Sequence, residues 1–401
     1  MRAVRITVGA DVLFLRYKET NIICIRSKVL RKQSIWVAPQ VDSCPNIAYA
    51  YAILGQELFI FRSVINKGGL FMNKRKRILT GDRPTGKLHL GHYVGSLQNR
   101  VALQKDYDTF IIIADVQALT TNFDKPEKLK ADVFNVALDN LAVGLDPDIA
   151  TFFIQSLIPE IAELTTFYGM FVTVNSLRHN PTIKTEVQQY GYKDIMYGFL
   201  GYPISQAADI TFCKANLVPV GDDQLPHIEL SRKIVRRFNE LYKPVLVEPE
   251  AMVSKISRLV GLDGNSKMGK SLNNGIYLSD DADTVKQKIR AAVTDPARIK
   301  ITDKGSPEVC TVFKYHQAFN ESEVCNVSES CKNAAIGCMA CKENLTNVLN
   351  GILDPIRVKR AFYEQRPELI REILMTGTEK VRGVAKEVMK EIREAMSIGY
   401  F

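Results

Sequence analysis

From Lys76 onward short apolar runs alternate with helical stretches, and this alternation constrains the fold more than any other property of the chain. Ile78 and Leu79 read as a strand that leads into a glycine-rich turn and a helical run from about Tyr93 to Gln104. Phe110-Ile111-Ile112-Ile113 follows as a strand, and Pro126 to Gly144 has helical spacing. Thr151-Phe152-Phe153-Ile154 and Leu217-Val218-Pro219-Val220 are further strands, the last before a helix through Arg237. Such alternation gives a parallel α/β architecture with ligands at the carboxyl ends of the strands. From about Asp283 helix signals dominate, notably Val358 to Glu364 and Glu379 to Met396, and predict a helical second domain.

The 401 residues, 46% hydrophobic and 24% charged, suffice for two packed domains. No run of eighteen or more apolar residues occurs, so no membrane span is expected. The net charge of +9 is uneven: ten Lys or Arg against four Asp or Glu before Met72 give +6, and 43 against 40 in the remainder give +3. That near-balance neither supports nor excludes an RNA partner. Residues 1 to 71 mix basic, apolar and turn residues without an obvious period and contain the only tryptophan, Trp36. They end in Lys67-Gly68-Gly69-Leu70-Phe71-Met72, and Lys-Gly-Gly can be encoded by a purine-rich stretch resembling a bacterial ribosome-binding site. Translation is therefore expected to begin at Met72, with 1 to 71 a spurious upstream extension. An appended domain and an Arg-rich transit peptide are the alternatives, with Asp11 and Glu19 counting against the latter.

After the Ile78-Leu79 strand stands Gly81-Asp82-Arg83-Pro84-Thr85-Gly86-Lys87-Leu88-His89-Leu90-Gly91-His92. A helix start offers unpaired N–H groups to phosphate, Gly91 permits close approach, and imidazoles can donate to phosphate oxygens. Taken alone, His-x-Gly-His reads as a surface turn. Downstream, Gly264-Asn265-Ser266-Lys267-Met268-Gly269-Lys270-Ser271 is a loop whose lysines can follow charge developing on a departing phosphate; the bland reading is a solvated basic turn. It also satisfies the bare P-loop pattern, but Leu259 to Asp263 is a poor strand and Leu272 to Gly275 reads as a turn rather than a helix. In this order the two segments resemble the HIGH and KMSKS signatures of class I aminoacyl-tRNA synthetases. Gly269 departs from the usual Ser.

Tyr202-Pro203-Ile204-Ser205-Gln206-Ala207-Ala208-Asp209-Ile210 and Val218-Pro219-Val220-Gly221-Asp222-Asp223-Gln224-Leu225-Pro226-His227-Ile228-Glu229 are similar to the tryptophanyl branch of that family. A carboxylate suits an indole, which has one donor and no acceptor. The resemblance implies that Asp209 accepts the indole N–H, that Tyr202 and Gln224 hold the ammonium end, and that Val218 and Val220 wall the ring, with Gln206 also lining the pocket. It implies an ATP site from Arg83, Pro84, Thr85, Gly91, His92, Gly221, Asp222, Asp223, Leu259, Lys267, Met268, Gly269, Lys270 and Ser271, with His89, His92, Lys267 and Lys270 catalytic. Gln206, Leu79 and Arg83 depart from common family residues. Lys184 lies where relatives carry a lysine near the phosphates, and a solvated helix charge is the alternative.

Five of the eight cysteines fall within 32 residues, a clustering that argues for a metal or cluster site rather than disulfides. Cys310-x20-Cys331-x6-Cys338-x2-Cys341 resembles the arrangement that holds a [4Fe-4S] cluster in a subset of bacterial tryptophanyl enzymes; four thiolates suit zinc equally, and Cys325 is left over. Nearby Lys304, Lys314, His316 and Lys332 could face an anticodon loop, although solvated charge is the stronger reading for each.

Together the resemblance implies a Rossmann-like doubly wound sheet over 72–282 and a helical anticodon-binding domain over 283–401. It further implies a cytoplasmic, homodimeric enzyme that uses Mg-ATP to join L-tryptophan to tRNA(Trp). A tyrosyl enzyme is the nearest alternative, since a phenol can also donate to Asp209; a non-catalytic tRNA-binding paralogue and a P-loop NTPase with a metal-binding tail are the others.

Overall fold

The computed structural model describes residues 75–253, 259–264, 268–269 and 272–400, together with the backbone of four strands within the first 37 residues. Two compact units divide the chain, Met1–Lys74 and Arg75–Phe401. In the first, β1 (Arg2–Val8), β2 (Asp11–Tyr17), β3 (Ile23–Ser27) and β4 (Ile35–Val37) form an antiparallel sheet in sequence order.

In the second unit, β5 (Arg77–Asp82), β6 (Asp108–Ile113), β7 (Thr151–Ile154), β8 (Leu217–Val220) and β9 (Glu250–Val253) form one parallel sheet in the order β7-β6-β5-β8-β9. The strand order reverses between β5 and β8, and their carboxyl ends open the crevice in which a doubly wound sheet binds ligands. Both faces are covered. Phe110 and Ile112 enter one core beneath the helices Pro159–Gly169, Tyr197–Thr211 and Leu225–Leu241. Ile111 and Ile113 enter the other, against the helices Leu129–Ala142, Ala282–Ala291, Thr311–Phe319 and Cys338–Glu364. The period of two along β6 thus divides a continuous apolar run between two cores.

The four expected strands are present, and β9 is an addition. Its Glu250–Val253 segment is half-exposed at the sheet edge and is defined by parallel pairing with β8, so it carries little apolar signal of its own. The Val358 to Glu364 and Glu379 to Met396 signals belong to long helices, Cys338–Glu364 of 27 residues and Pro367–Ala395 of 29. These helices pack onto the sheet unit. Pro367–Ala395 places Ile370 and Leu374 in one core and Val381 to Ile392 in the other, crossing beside edge strand β7. At the crossing a Cβ on Gly377 would stand 1.9 Å from the Phe152 carbonyl oxygen, so only glycine permits the approach. Thr378 Oγ1 accepts from the Ile154 N–H at 3.2 Å and Lys380 donates to Thr151 Oγ1 at 2.9 Å, giving the edge strand partners it lacks within the sheet.

Candidate active site

Strand β5 delivers the first motif. At its end Asp82 is paired with buried Arg100 at 2.6 Å and accepts from Asn140 Nδ2 at 3.1 Å. Burial pushes this carboxyl up, but Arg100 outweighs it and holds the group at about 2. Buried Asp139 accepts the Leu88 N–H at 2.8 Å and pairs with Arg360 at 2.9 Å, tying the turn before His89 to the Cys338–Glu364 helix. The two histidines then cap their own backbone: His89 Nδ1 accepts from the Gly91 N–H at 3.1 Å, and His92 Nδ1 accepts from the His89 N–H at 3.2 Å. With each Nδ1 an acceptor, each ring carries its proton on Nε2, the nitrogen that can donate to a phosphate oxygen.

The second motif docks on the first. Leu90 N–H donates to Ile276 O at 2.9 Å, Leu278 N–H donates to Leu88 O at 3.0 Å, and His89 pairs with Tyr277 in an antiparallel bridge. Met268 is buried and its N–H donates to Leu259 O at 3.1 Å; Gly269 N–H donates to Asn274 Oδ1 at 2.9 Å. A Cβ on Gly91 would lie 2.9 Å from the His89 ring and 3.7 Å from Met268, which places the motifs side by side. Lys267, Lys270 and Ser271 lie outside the described residues. Pro84 is buried, Arg83 and Thr85 are exposed, and Gly221, Asp222 and Asp223 follow β8 on the other side of the crevice.

Asp209 sits on the Tyr197–Thr211 helix, 4% exposed. Gln155 Nε2 donates to its Oδ1 at 2.7 Å, and Gln117 Nε2 approaches its Oδ2 at 3.4 Å. Burial pushes the carboxyl up to about 7 against the pull of Gln155 and then Gln117, with Asp115 adding to the rise. Tyr202, also buried, donates its hydroxyl to Glu186 at 2.9 Å and contacts His227 Nε2 at 3.0 Å. The His227 imidazole is pushed down to about 4, first by burial and then by the Arg83 charge, so it is neutral at pH 7. Arg83 acts on Tyr202 as well, which sets it beside this pocket. Gln206 turns to Gln224, donating to its Oε1 at 3.3 Å, while Gln224 donates to Asp223 at 3.3 Å. Val218 and Val220 share one face of β8. Lys184 is exposed on the Pro181–Tyr190 helix, whereas Glu186 of the same helix reaches Tyr202.

Gln155, Gln117, Asp115, Glu186 and Asp139 were not foreseen as site residues. Asp115 and Gln117 lie in the first turn of the helix after β6 and Gln155 directly follows β7, and a polar residue just past the carboxyl end of a buried parallel strand is the signal that could have found them.

In the C-terminal third, Cys310 precedes the Thr311–Phe319 helix, Cys331 is near the end of Val324–Lys332, and Cys338 and Cys341 lie in the first turn of Cys338–Glu364. Burial pushes the Cys341 thiol up to about 12, and the charges of Cys310, Cys331 and Cys338 add to the rise. The four lie near enough for their charges to act on one another. Cys341 Sγ lies 3.5 Å from His316 Nε2, and Arg298 Nη1 donates to Cys331 Sγ at 3.6 Å. Among the described residues, no three His, Cys, Asp or Glu side chains stand in an arrangement that could hold a metal ion. Cys325 is exposed.

A parallel sheet whose first strand feeds a histidine turn, with Met268 and Gly269 of the second motif beside it, defines a class I tRNA synthetase; the family model for tRNA synthetases class I (W and Y) matches residues 72–354. The tryptophan–tRNA ligase of Streptococcus mutans is 50% identical over 335 residues, 81% of this chain and 98% of that one; that of Clostridium longisporum is 51% identical over 333 residues, 81% and 97%. The tryptophanyl-tRNA synthetase of Campylobacter jejuni, solved with ADP and tryptophan, superimposes with a TM-score of 0.71 at 31% identity over 80% of this chain and 99% of that one. The chain belongs to the class I tRNA synthetases, in their tryptophanyl branch.

Proposed function

We propose that the chain activates L-tryptophan with Mg-ATP and transfers it to tRNA(Trp), with Asp209 reading the indole N–H. The observation that carries this reading is the buried Asp209, with an amide donor facing each of its oxygens. The tryptophan carboxylate attacks the α-phosphorus, forming tryptophanyl-adenylate as the bond to pyrophosphate breaks. A ribose hydroxyl of the terminal tRNA adenosine then attacks the activated carbonyl, and AMP leaves. No protein nucleophile is required, so the protein acts by orientation and charge. His89 and His92 donate from Nε2 to phosphate oxygens, Lys267 and Lys270 follow the charge on pyrophosphate, and Gly221 to Asp223 border the nucleotide. The Tyr202–Glu186 pair supplies negative charge for the tryptophan ammonium, with Gln224 beside it. Magnesium enters with ATP. Pyrophosphate exchange tests the reading: it is expected with tryptophan, while exchange with tyrosine alone or with neither amino acid would overturn it.

The grouped cysteines support a thiolate-held centre, an iron–sulfur cluster before zinc. Four soft donors suit either by their chemistry, although among the described residues no three of them are arranged to hold a metal ion as they stand. Brown protein with visible charge-transfer absorbance identifies the cluster; colourless, zinc-rich protein rejects it. A second copy of the chain is the partner that suits the segment 170–197, which leaves Met170, Val174, Tyr190, Met196 and Tyr197 exposed. Sedimentation yielding only monomer would reject the homodimer. The reaction is assigned to the cytoplasm, and among the described residues no helix is long and apolar enough to cross a membrane.

A further inference from the structure

A buried carboxylate recognises a ring N–H only while it remains an acceptor, and burial works against that state. Asp209 is kept in it by a residue outside the motifs that carry the chemistry. Gln155 follows β7 and is 3% exposed; its Nε2 donates to Asp209 Oδ1 at 2.7 Å while its Oε1 accepts from the Gln117 backbone N–H at 3.1 Å. The second bond fixes which way the amide faces. With its oxygen committed to a main-chain donor, only the NH2 group can point at Asp209. Gln117 closes the other side, with Nε2 3.4 Å from Asp209 Oδ2 and 3.3 Å from the Tyr202 carbonyl. Among the described residues no cation pairs with Asp209, so amide donors act where a guanidinium often does. Each oxygen keeps a lone pair beyond its amide contact, and the ring N–H can take it.

We infer that Gln155 is the positioning residue that aims Asp209 at the substrate ring and holds it in acceptor-only form. Selection of the amino acid follows: an indole N–H satisfies such a carboxylate completely, whereas a phenol brings an acceptor for which the clamp offers no donor. The inference rests on the assignment of Asp209 to the indole. The elements packed against its helix present Asp115, Tyr168, Glu186 and His227, and Tyr202 lies on the helix itself; of these, Asp115 acts on the Asp209 charge.

The test is tryptophan-dependent pyrophosphate exchange by the full chain and its Gln155→Met, Gln155→Glu and Asp209→Ala variants, from about pH 6 to pH 9. Methionine keeps the length and removes both amide groups, and glutamate sets acceptor against acceptor. The tryptophan KM should rise at least about tenfold in Gln155→Met and further in Gln155→Glu, while the ATP KM stays within about twofold. The acid limb of kcat/KM should move to higher pH, with activity recovering as pH rises, because the ionised carboxylate is the working form. Unaltered tryptophan KM and acid limb in both glutamine variants, with Asp209→Ala inactive, would overturn the inference and leave Asp209 in its role. Asp209→Ala with the parent tryptophan KM would overturn the assignment beneath it. A rise in both KM values with an unmoved limb would make Gln155 a packing residue and also overturn the inference. ATP binding certifies the fold of each variant, and Gln155→Asn carries the same readouts if either substitution prevents folding.

Discussion

Burial drives both Asp209 and the Cys341 thiol with its neighbouring cysteines toward their neutral forms, but the surroundings answer it in opposite ways. Asp209 has a donor at each oxygen and one like charge, Asp115, acting on it. Cys341 is raised first by burial and then by three other thiols, and the Arg298 charge only partly offsets them. The first is built before its ligand arrives, so the protein bears the cost of a buried charge in the free state. The second is most stable as protonated thiols until something cationic enters. A preformed acceptor suits a neutral ring donor; grouped thiols would give up their protons only to a cation.

Replacing Asp209 with Ala breaks the comparison most severely. Tryptophan-dependent exchange should fall about 10⁴-fold in kcat/KM, since a site made to bond a ring donor loses that much when the partner is gone. Exchange kinetics at saturating ATP measure it.

Next comes the pH dependence of stability. A carboxyl whose folded pKa is about 7 binds more protons folded than unfolded between about pH 4 and pH 7, so its contribution falls as pH rises through that window, by on the order of 4 kcal/mol at most. Asp209→Asn should remove that slope in urea unfolding followed from pH 4 to pH 8. Activity runs the other way and rises toward pH 7, so stability and catalysis diverge at one residue.

Alkylation sharpens the cysteine side. In metal-free protein, exposed Cys325 should react at least about tenfold faster than Cys341 and Cys213, whose thiols burial pushes up to about 12. Adding ferrous iron and sulfide, or zinc, should protect Cys310, Cys331, Cys338 and Cys341 and leave Cys325 open, as mapped by mass spectrometry. Protection of Cys325 with them would dissolve the proposed grouping.

The smallest effect belongs to Gln206→Met. Since Gln206 bonds Gln224 rather than Asp209, the tryptophan KM should change only about three- to tenfold, the worth of one hydrogen bond. A change as large as that of Asp209→Ala would put Gln206 on the ring.

The sequence revealed what is contiguous. Apolar runs at 110–113 and 151–154 announced strands, and the two motifs were legible because each is a single turn. Gln155 and Gln117 were not, because their bonds to Asp209 span 54 and 92 residues, and a polar residue past a strand end marks a place without naming its partner. Asp139 reads as an ordinary helical position until Arg360, 221 residues later, meets it. For the cysteines, spacing exposed the grouping, while the neighbours Arg298 and His316 emerged only from packing.

The helix that crosses at Gly377 touches the strand ending one residue before Gln155. Both nucleotide motifs and every proposed contact to tryptophan are synthesised more than a hundred residues before Gly377 emerges. A nascent or truncated chain therefore contains all the chemistry while edge strand β7, and the glutamine beyond it, still lacks its brace. Completion of translation becomes the last step in building an enzyme that supplies translation.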